Sequence, residues 1–600
     1  MRSTAGGLLF SASDLVTFMG CRHATWLDAT AARGGPRPPE IVDAQTALLQ
    51  QRGLEHERAY LRELGEAGLA IETIAAEGTV DERAAATREA MKRGADIIYQ
   101  GALIDRPWHG YSDFLRRVEV PSLFGGWSYV VIDTKLARSA KASHAVQLGV
   151  YAKLLKSEQA LLPGTLHVKL GDGTEALLRT SDCSDYIGAA MQRFEQFVAV
   201  PPAASESEPC AQCQYCHWAS VCEARWFETD HLSGVANMRS TQARYLREAG
   251  ISTMAQLASL KGSAVKGLAP AIVERLTHQA RLQMGKRTDG QDRFEILPIE
   301  AGRGFCRMPR PDPGDMFFDM EGDPLYPGGL EYLFGFVTGT ADKALFTAFW
   351  AHDRAEEKRA FEEAVDFIVE RLEAHPDAHV YHYAAYEASA LKRLSTLHGT
   401  REAEIDDLLR CGKLVDLYRV VAEGVRVSEP RYSIKNMEVF YMEKRAGEVK
   451  TAGESVVMYE RWRELQDVAL IAEIAEYNRI DCVSTVMLRD WLLGIRPATA
   501  VWFVRSASGE DKSKTDKREA AEQRTAELSE RLHRSSDPSA AVLADLLEFH
   551  RREAKPDYWA MFDRQLRPDE DLIDDAECLG GLTAAPVGQG VADKQSLAGC

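Results

Sequence analysis

The order of strand and helix patterns in the second half of the chain constrains its fold more than any other feature of the sequence. Apolar runs of strand length follow one another closely at 314–324, 332–339 and 344–353. Patterns of a helix, a short strand, a helix, a further strand and a last helix come next, at 355–374, 379–383, from Tyr386 onward, at 413–420 and at 471–493. Strands joined by short turns pair as an antiparallel meander. The pattern predicts an α/β domain over 291–495.

Acidic residues occupy two of these elements. In the first strand the side chains alternate, so Asp319 and Glu321 share a face. In the last helix Tyr477 and Asp481 are four residues apart and also share a face. Neighbouring carboxylates can bridge two divalent ions. This arrangement predicts a metal site.

This order of elements and acids resembles the ribonuclease-H-fold DEDD exonucleases, in the subclass with a tyrosine in the third motif. Asp319-x-Glu321 matches the first motif and Tyr477-x3-Asp481 the third. The resemblance implies that four acids hold two Mg²⁺ or Mn²⁺ ions and that the tyrosine positions the attacking water. The second motif carries an aspartate in that family, whereas this chain has Glu387 there; Asp416 is the alternative acid.

A second candidate site lies in the first 155 residues. The strand pattern at 127–138 places Asp133 and Lys135 on one face. A carboxylate can hold a divalent cation, and a lysine beside it can support the attacking water or the charge developing on phosphorus. Further candidate residues lie on the flanking strand and helix patterns: His56, Asp113, Gln147 and Tyr151.

This order of residues resembles the RecB-type branch of the PD-(D/E)xK nucleases, over about the first 225 residues. The resemblance implies a restriction-endonuclease-like fold in which His56, Asp113 and Asp133 bind Mn²⁺ or Mg²⁺. It also implies that Lys135 is catalytic and that Gln147 and Tyr151 orient the site and its substrate.

Four cysteines fall within the thirteen residues from Cys210 to Cys222. In a cytosolic chain such a cluster indicates metal or iron–sulfur ligation rather than disulfides. The spacing resembles the iron–sulfur RecB-type nucleases, of the AddB and CRISPR-associated kind. The resemblance implies a [4Fe–4S] cluster held by Cys21, Cys213, Cys216 and Cys222. A structural Zn²⁺ and a local site with Cys210 in place of Cys21 are the alternatives.

The length of the chain indicates how many domains it contains. A chain of 600 residues suggests three or four domains, which we place as follows: the RecB-like nuclease at 1–228, a small helical domain at 229–290, the ribonuclease-H-like domain at 291–495, and a charged linker with a helical tail at 496–600. Two short helices around Gly250 resemble a helix–hairpin–helix; a plain helical spacer is the alternative. We expect the last twenty residues to be disordered.

The net charge of −18 argues against a uniformly basic nucleic-acid coat but leaves local phosphate contacts open. No apolar stretch is long enough for a membrane span, so we expect a cytoplasmic protein.

Chains that join two such domains resemble a bacterial family that usually continues into a helicase. This chain has no G-x-x-x-x-G-K-[ST] motif, so we expect a shortened form with any helicase acting in trans.

The sequence thus favours a nuclease, with DNA as the expected substrate. Two alternatives remain open: a nucleic-acid-binding module with degenerate sites that serves a separate helicase, and an RNA-processing exonuclease.

Overall fold

A computed structural model gives the fold; it describes residues 1–4, 6–39, 44–262, 264–443, 452–504, 512–565, 567, 572, 575 and 577–579. The chain divides into two compact units. The first comprises Met1–Ala364, Glu370–Ala384 and Val415–Phe503, and the second Val365–Val369, Ala385–Leu414 and Val504–Cys600. None of the helices in the described ranges is long and apolar enough to cross a membrane. The last twenty residues, expected to be disordered, lie outside the described residues.

The N-terminal part of the first unit is built around a six-stranded sheet. Its elements are β1 (Arg2–Thr4), β2 (Gly7–Leu9), α1 (Ala12–Gly20), α2 (Arg22–Ala32), α3 (Ala44–Glu66), β3 (Ile71–Thr73), α4 (Val80–Arg93), β4 (Ile97–Asp105), β5 (Trp108–Val118), β6 (Ser128–Lys135), α5 (Ala142–Gln159), β7 (Thr165–Leu170), β8 (Glu175–Arg179), α6 (Ser184–Ala199) and α7 (Ala219–Glu228). The strand order is β3-β4-β5-β6-β7-β8.

Local signals explain where several of these elements begin and end. Thr79 and Glu82 form a capping box at the start of α4, and Gly94 ends that helix with a φ of 76°. Strands β4, β5 and β6 pair antiparallel, whereas β6 and β7 are parallel because α5 crosses between them. The shared core of the sheet and α5 consists of buried apolar side chains, among them Ile98, Leu115, Val131, Leu148, Leu155 and Leu166.

A small helical segment follows, with α8 (Ser240–Glu248), α9 (Met254–Ala258) and α10 (Pro270–Asp289). It has its own apolar cluster, which includes Leu246, Leu257 and Leu276. Gly250, with a φ of 83°, makes the turn between α8 and α9. Two short helices around Gly250 are what the sequence pattern predicts.

The third part contains a five-stranded sheet of order β12-β11-β10-β13-β14. The elements in this stretch are β9 (Phe294–Ile296), β10 (Met316–Asp323), β11 (Leu330–Thr338), β12 (Leu345–Trp350), α11 (Arg354–Ala374), β13 (Val380–His382), α12 (Tyr386–His398), α13 (Glu402–Arg410), β14 (Leu414–Asp416), α14 (Leu417–Gly424), β15 (Val425–Val427), α15 (Ile434–Met437), α16 (Ala452–Leu465) and α17 (Val468–Ile495). Of these, α12 and α13 belong to the second unit. Strands β10, β11 and β12 form the predicted antiparallel meander, and β13 joins β10 in parallel.

One element differs from the expectation. The sequence pattern at 413–420 predicts a single longer strand, but β14 ends at Asp416. The side chain of Asp416 accepts a hydrogen bond from the backbone N–H of Tyr418 and starts α14. An N-capping carboxylate satisfies a free donor at a helix start, and here it overrides the strand-like composition.

The second unit contains the C-terminal helices α18 (Lys512–His533), α19 (Pro538–Leu546) and α20 (Phe549–Gln565), which lie where the sequence predicts a charged, helical tail. Helix α20 packs on α12 and α13. The indole N–H of Trp559 donates to Asp406 at 3.3 Å, and Lys392 pairs with Asp563. The tail is thus anchored by polar contacts within its own unit.

Candidate metal centres

Strand β10 and helix α17 bring three carboxylates together. One oxygen atom from each of Asp319, Glu321 and Asp481 lies within 4.8 Å of the others. Across the described ranges, no other three histidine, cysteine or carboxylate side chains meet this distance. The sequence predicted all three residues as metal ligands, and the fold places them in one cluster.

A close contact between α17 and β11 positions the first of these acids. Gly335 lies opposite Asp319 across the β10–β11 ladder. A Cβ atom at Gly335 would come within 1.6 Å of the amide oxygen of Asn478, so a side chain there is excluded. The space lets Asn478 donate from Nδ2 to the carboxylate of Asp319 at 2.8 Å. This hydrogen bond fixes the orientation of Asp319.

Burial and mutual repulsion make the cluster a candidate cation site. Glu321 is 6% exposed, and burial together with the charge of Asp481 raises the pKa of Glu321 to about 8. A hydrogen bond with Ser455 and the charge of Lys435 oppose this rise. Carboxylates buried side by side cannot both ionise cheaply without a compensating cation. The donor set of hard oxygens suits Mg²⁺ or Mn²⁺.

Tyr477 lies beside this cluster, one helical turn before Asp481. Its side chain is buried, and burial with the charges of Asp481 and Glu321 holds the pKa of Tyr477 well above its usual range. The phenol therefore keeps its proton over the working pH range and can donate a hydrogen bond. Its oxygen accepts a hydrogen bond from Nζ of Lys435 at 2.8 Å.

Comparison with known families identifies the domain that holds this cluster. Residues 316–493 match the RNase_H superfamily. This segment is an RNase H-like domain. Members of this superfamily hydrolyse nucleic acids with divalent metal ions, so the match supports a phosphodiester hydrolase. The match covers less than half of the chain, and no curated protein matches the sequence. The ribonuclease-H fold predicted from the sequence is thereby confirmed for this domain.

Two further acids were predicted for the RNase H-like domain. Glu387 is buried in the first turn of α12, in the second compact unit, and is not a member of the three-carboxylate cluster. Asp416 accepts hydrogen bonds from the backbone N–H groups of Ala384 and Tyr418, both at 2.9 Å. The same carboxylate oxygen of Asp416 accepts both hydrogen bonds and so stabilises the backbone at these two residues.

Three residues near the cluster escaped the sequence analysis: Lys435, Ser455 and Asn478. Lys435 lies on α15, a helix of four residues that is too short to give a periodic pattern. Ser455 lies on α16, where its hydroxyl meets the hydroxyl of Tyr332 at 2.6 Å. Asn478 directly follows Tyr477, so the motif itself could have drawn attention to it. Only tertiary packing brings the other two to the acids.

The N-terminal sheet holds the other candidate set. Asp133, at the end of β6, is 2% exposed, and Nζ of Lys135 lies 2.6 Å from its carboxylate. Burial and the charge of Asp113 raise the pKa of Asp133 to about 7, against the opposing charge of Lys135. The carboxylate of Asp113 accepts hydrogen bonds from the backbone N–H and the hydroxyl of Thr134, at 2.8 and 2.7 Å. Asp113, Asp133 and Lys135 therefore form a cluster of interacting charged side chains.

Helix α3 contacts β6 and carries the adjacent residues His56 and Glu57. The ring Nε2 of His56 lies 3.3 Å from the carbonyl oxygen of Lys169. Glu57, which the sequence analysis did not select, is buried, and burial followed by the charge of Asp113 raises its pKa. Its carboxylate accepts a hydrogen bond from Gln100, whose φ of 57° is left-handed. Such backbone strain clusters at functional sites.

Gln147 and Tyr151 lie on α5, as the sequence predicts. The amide of Gln147 donates to the hydroxyl of Tyr151 at 3.3 Å. Burial and the nearby charge of Asp133 hold the pKa of Tyr151 above its usual range, so the phenol stays protonated. In the described part of the chain, His56, Asp113 and Asp133 are not gathered as tightly as the three carboxylates of the RNase H-like domain.

Five cysteines line one small cavity between α2 and the segment that precedes α7: Cys21, Cys210, Cys213, Cys216 and Cys222. Burial raises the pKa of Cys222 to about 11. The sulfur atoms of Cys210 and Cys213 are 3.8 Å apart. No cysteine in the described ranges forms a disulfide. The fold thus brings the N-terminal Cys21 to the same cavity as the later cysteines.

Proposed function

We propose that the protein is a metal-dependent nuclease whose RNase H-like domain hydrolyses phosphodiester bonds. The observation that carries this proposal is the cluster of Asp319, Glu321 and Asp481 inside a domain that matches the RNase_H superfamily. Buried carboxylates at this spacing are costly for a fold and serve no packing purpose, whereas a divalent cation relieves their repulsion.

The acids of the cluster and the neighbouring Tyr477 have different roles in this proposal. Asp319, Glu321 and Asp481 hold Mg²⁺ or Mn²⁺, and Glu387 stays the fourth acid that the sequence pattern predicts. When bound, the ions supply charge stabilisation for the attacking and leaving oxygens. Tyr477 keeps its proton and donates a hydrogen bond that orients the attacking water. This assignment makes the domain a DEDD exonuclease of the tyrosine subclass.

We place a second active site in the N-terminal domain, of the RecB-like PD-(D/E)xK type. Its support is the group formed by Asp113, Asp133 and Lys135. The cation of Lys135 lies beside a carboxylate with a raised pKa, which suits a lysine that stabilises charge on a scissile phosphate. Gln147 and Tyr151 face the same group from α5, and His56 completes the proposed ligand set.

We further propose that Cys21, Cys213, Cys216 and Cys222 hold a [4Fe–4S] cluster. The shared cavity supports this ligand set. A structural Zn²⁺ held by four cysteines is the alternative, and so is a local site with Cys210, which lines the same cavity, in place of Cys21.

Digestion of labelled single- and double-stranded DNA and of matched RNA tests the function. With Mn²⁺ or Mg²⁺ we expect the wild-type protein to cleave DNA. Asp319→Ala should abolish one activity and Lys135→Ala the other, because the acids fall into two sets on separate sheets. Asp319→Asn, which keeps the shape of the side chain and loses its charge, should match Asp319→Ala.

Each other outcome has a definite meaning. Loss of all cleavage in either single variant contradicts independent sites. Preference for RNA would assign the protein to RNA processing. Tight nucleic-acid binding with no metal-dependent cleavage would contradict the nuclease and favour a binding module that serves a separate helicase.

A further inference from the structure

We propose that Lys435 is a positioning residue for Tyr477 and sets the direction in which the tyrosine hydroxyl donates its hydrogen bond. The inference rests on the proposed function of the RNase H-like domain and deepens it. No motif of the sequence points to Lys435; only its position in the fold does.

The contact between the two side chains is direct. Nζ of Lys435 lies 2.8 Å from the hydroxyl oxygen of Tyr477 and 4.8 Å from the centre of its ring. The lysine belongs to the short helix α15, whose start is capped by Ser433. The buried side chain of Met437 fixes the other end of this helix in the core. The backbone that carries Lys435 is therefore fixed at both ends of α15.

Hydrogen-bond chemistry then fixes the direction of the tyrosine O–H. A lysine ammonium has three donors and no acceptor, so the phenol oxygen must accept from it. The single hydrogen of the phenol is left for a partner on another side. The side left for that hydrogen faces Asp481, one turn later on α17, and the proposed water would accept it there in place of that carboxylate. The chain of contacts therefore runs from Lys435 through Tyr477 toward the carboxylate cluster.

The positive charge of Lys435 also acts on the carboxylate cluster. Its ammonium favours the ionised form of Glu321, the most deeply buried of the three acids. A tyrosine whose oxygen is already saturated by a cation is a better donor to a water molecule, because hydrogen bonds in a chain polarise one another. Without the lysine the hydroxyl could rotate, and the water would lose its orientation.

A double-mutant cycle tests the inference, in full-length Lys135→Ala protein so that only the RNase H-like domain cleaves. The readout is single-turnover cleavage of labelled DNA. Tyr477→Phe should slow cleavage on the order of 10²–10³-fold. Lys435→Ala should slow cleavage roughly 10–100-fold in this background. When Tyr477→Phe is already present, Lys435→Ala should slow it by less than about threefold, because both changes disrupt the same hydrogen-bonded pair. Lys435→Arg, which keeps a donor, should recover most of the rate.

Two further readouts separate positioning from folding. DNA affinity and Mn²⁺ affinity, measured by titration, should change by less than about threefold in Lys435→Ala. Arg431→Ala is the matched control: it removes a positive charge from an exposed position four residues earlier and should leave the rate unchanged.

The outcomes are distinct. If Asp319-dependent cleavage occurs and the losses from Lys435→Ala and Tyr477→Phe multiply, the positioning role is wrong while the proposed function stands. Loss of Mn²⁺ binding in Lys435→Ala would make the lysine a structural part of the site and would also overturn the inference. Absence of Asp319-dependent cleavage overturns the proposed function and the inference with it.

Discussion

Carboxylates in this protein occupy two opposite electrostatic settings. Asp133 and Glu321 are buried beside other acids, which raises the pKa of each. Glu175, at the start of β8, has two favourable partners: its carboxylate lies against the ring of His167 and accepts a hydrogen bond from the guanidinium of Arg116. These contacts, the His167 hydrogen bond first, lower the pKa of Glu175 to about 2. The first pair are costly without a bound ion, whereas Glu175 stabilises the fold.

This contrast predicts a pH-dependent contribution of Glu175. A carboxylate whose pKa is lowered by folding stabilises the protein above its ordinary pKa, and the contribution is lost as the pH falls through the folded value. Because the Glu175 side chain is 28% exposed, we expect about 1–2 kcal/mol at pH 7. Glu175→Gln should remove it. Hydrogen–deuterium exchange over 165–179 should be faster in the variant at pH 7, with the difference shrinking between about pH 4.5 and pH 2.

Glu119→Gln is the matched control for this experiment. Glu119 pairs with Arg117 at 2.9 Å, but its side chain is 75% exposed. An exposed pair contributes little, so its loss should leave exchange in the sheet unchanged. Equal exchange in Glu175→Gln and wild type at pH 7 would contradict the role assigned to Glu175.

On the scale of elements, the N-terminal domain is closed by contacts between α2 and the cysteine-rich segment 210–222. The indole of Trp218 and the ring of His217 both contact the carboxylate of Asp28 at 2.8 Å. Trp26 donates to the carbonyl of Pro202 at 3.0 Å. These contacts bring the two ends of the domain together around the cysteine cavity.

The proposed cluster predicts the behaviour of this junction. Protein purified without oxygen should be brown, with broad absorption near about 400 nm. Cys216→Ser should lose the colour and loosen residues 1–228, since ligation is coupled to folding. Limited proteolysis and absorbance measure both effects. Cys210→Ser is the control and should keep the colour, whereas a colourless protein with stoichiometric zinc would contradict the iron–sulfur assignment.

Strong local patterns made part of this architecture predictable. The alternation in β10 and the long amphipathic run of α17 identified Asp319, Glu321, Tyr477 and Asp481 from sequence, because strand and helix periods fix which side chains share a face. Lys435 and Ser455 were not predictable, since short or irregular segments reach the site only through packing. At Asp416 a cap ended a strand that composition favoured.

Across the whole molecule, the N-terminal candidate site and the three-carboxylate cluster of the RNase H-like domain lie in the same compact unit, and a helix contact joins them. Helix α3 carries His56, and one turn earlier Arg52 pairs with Glu460 of α16. The same α16 carries Ser455, which bonds Glu321. Glu460 is 1% exposed and also meets Arg463 at 2.8 Å. A single buried carboxylate thus connects the helix of one site to the helix of the other.

This contact predicts that Arg52 stabilises α16 as well as α3. Arg52→Ala leaves the buried Glu460 with Arg463 as its remaining cation, so we expect a loss of about 1–3 kcal/mol in local stability. Hydrogen–deuterium exchange should accelerate roughly tenfold in both helices, and Asp319-dependent cleavage should fall because Ser455 holds Glu321 less firmly.

Glu55→Gln is the matched control, because Glu55 also pairs with Arg52, at 2.7 Å, from a more exposed position on α3. That variant should leave α16 unchanged. Faster exchange in α3 alone after Arg52→Ala would mean that the two sites are neighbours without being coupled.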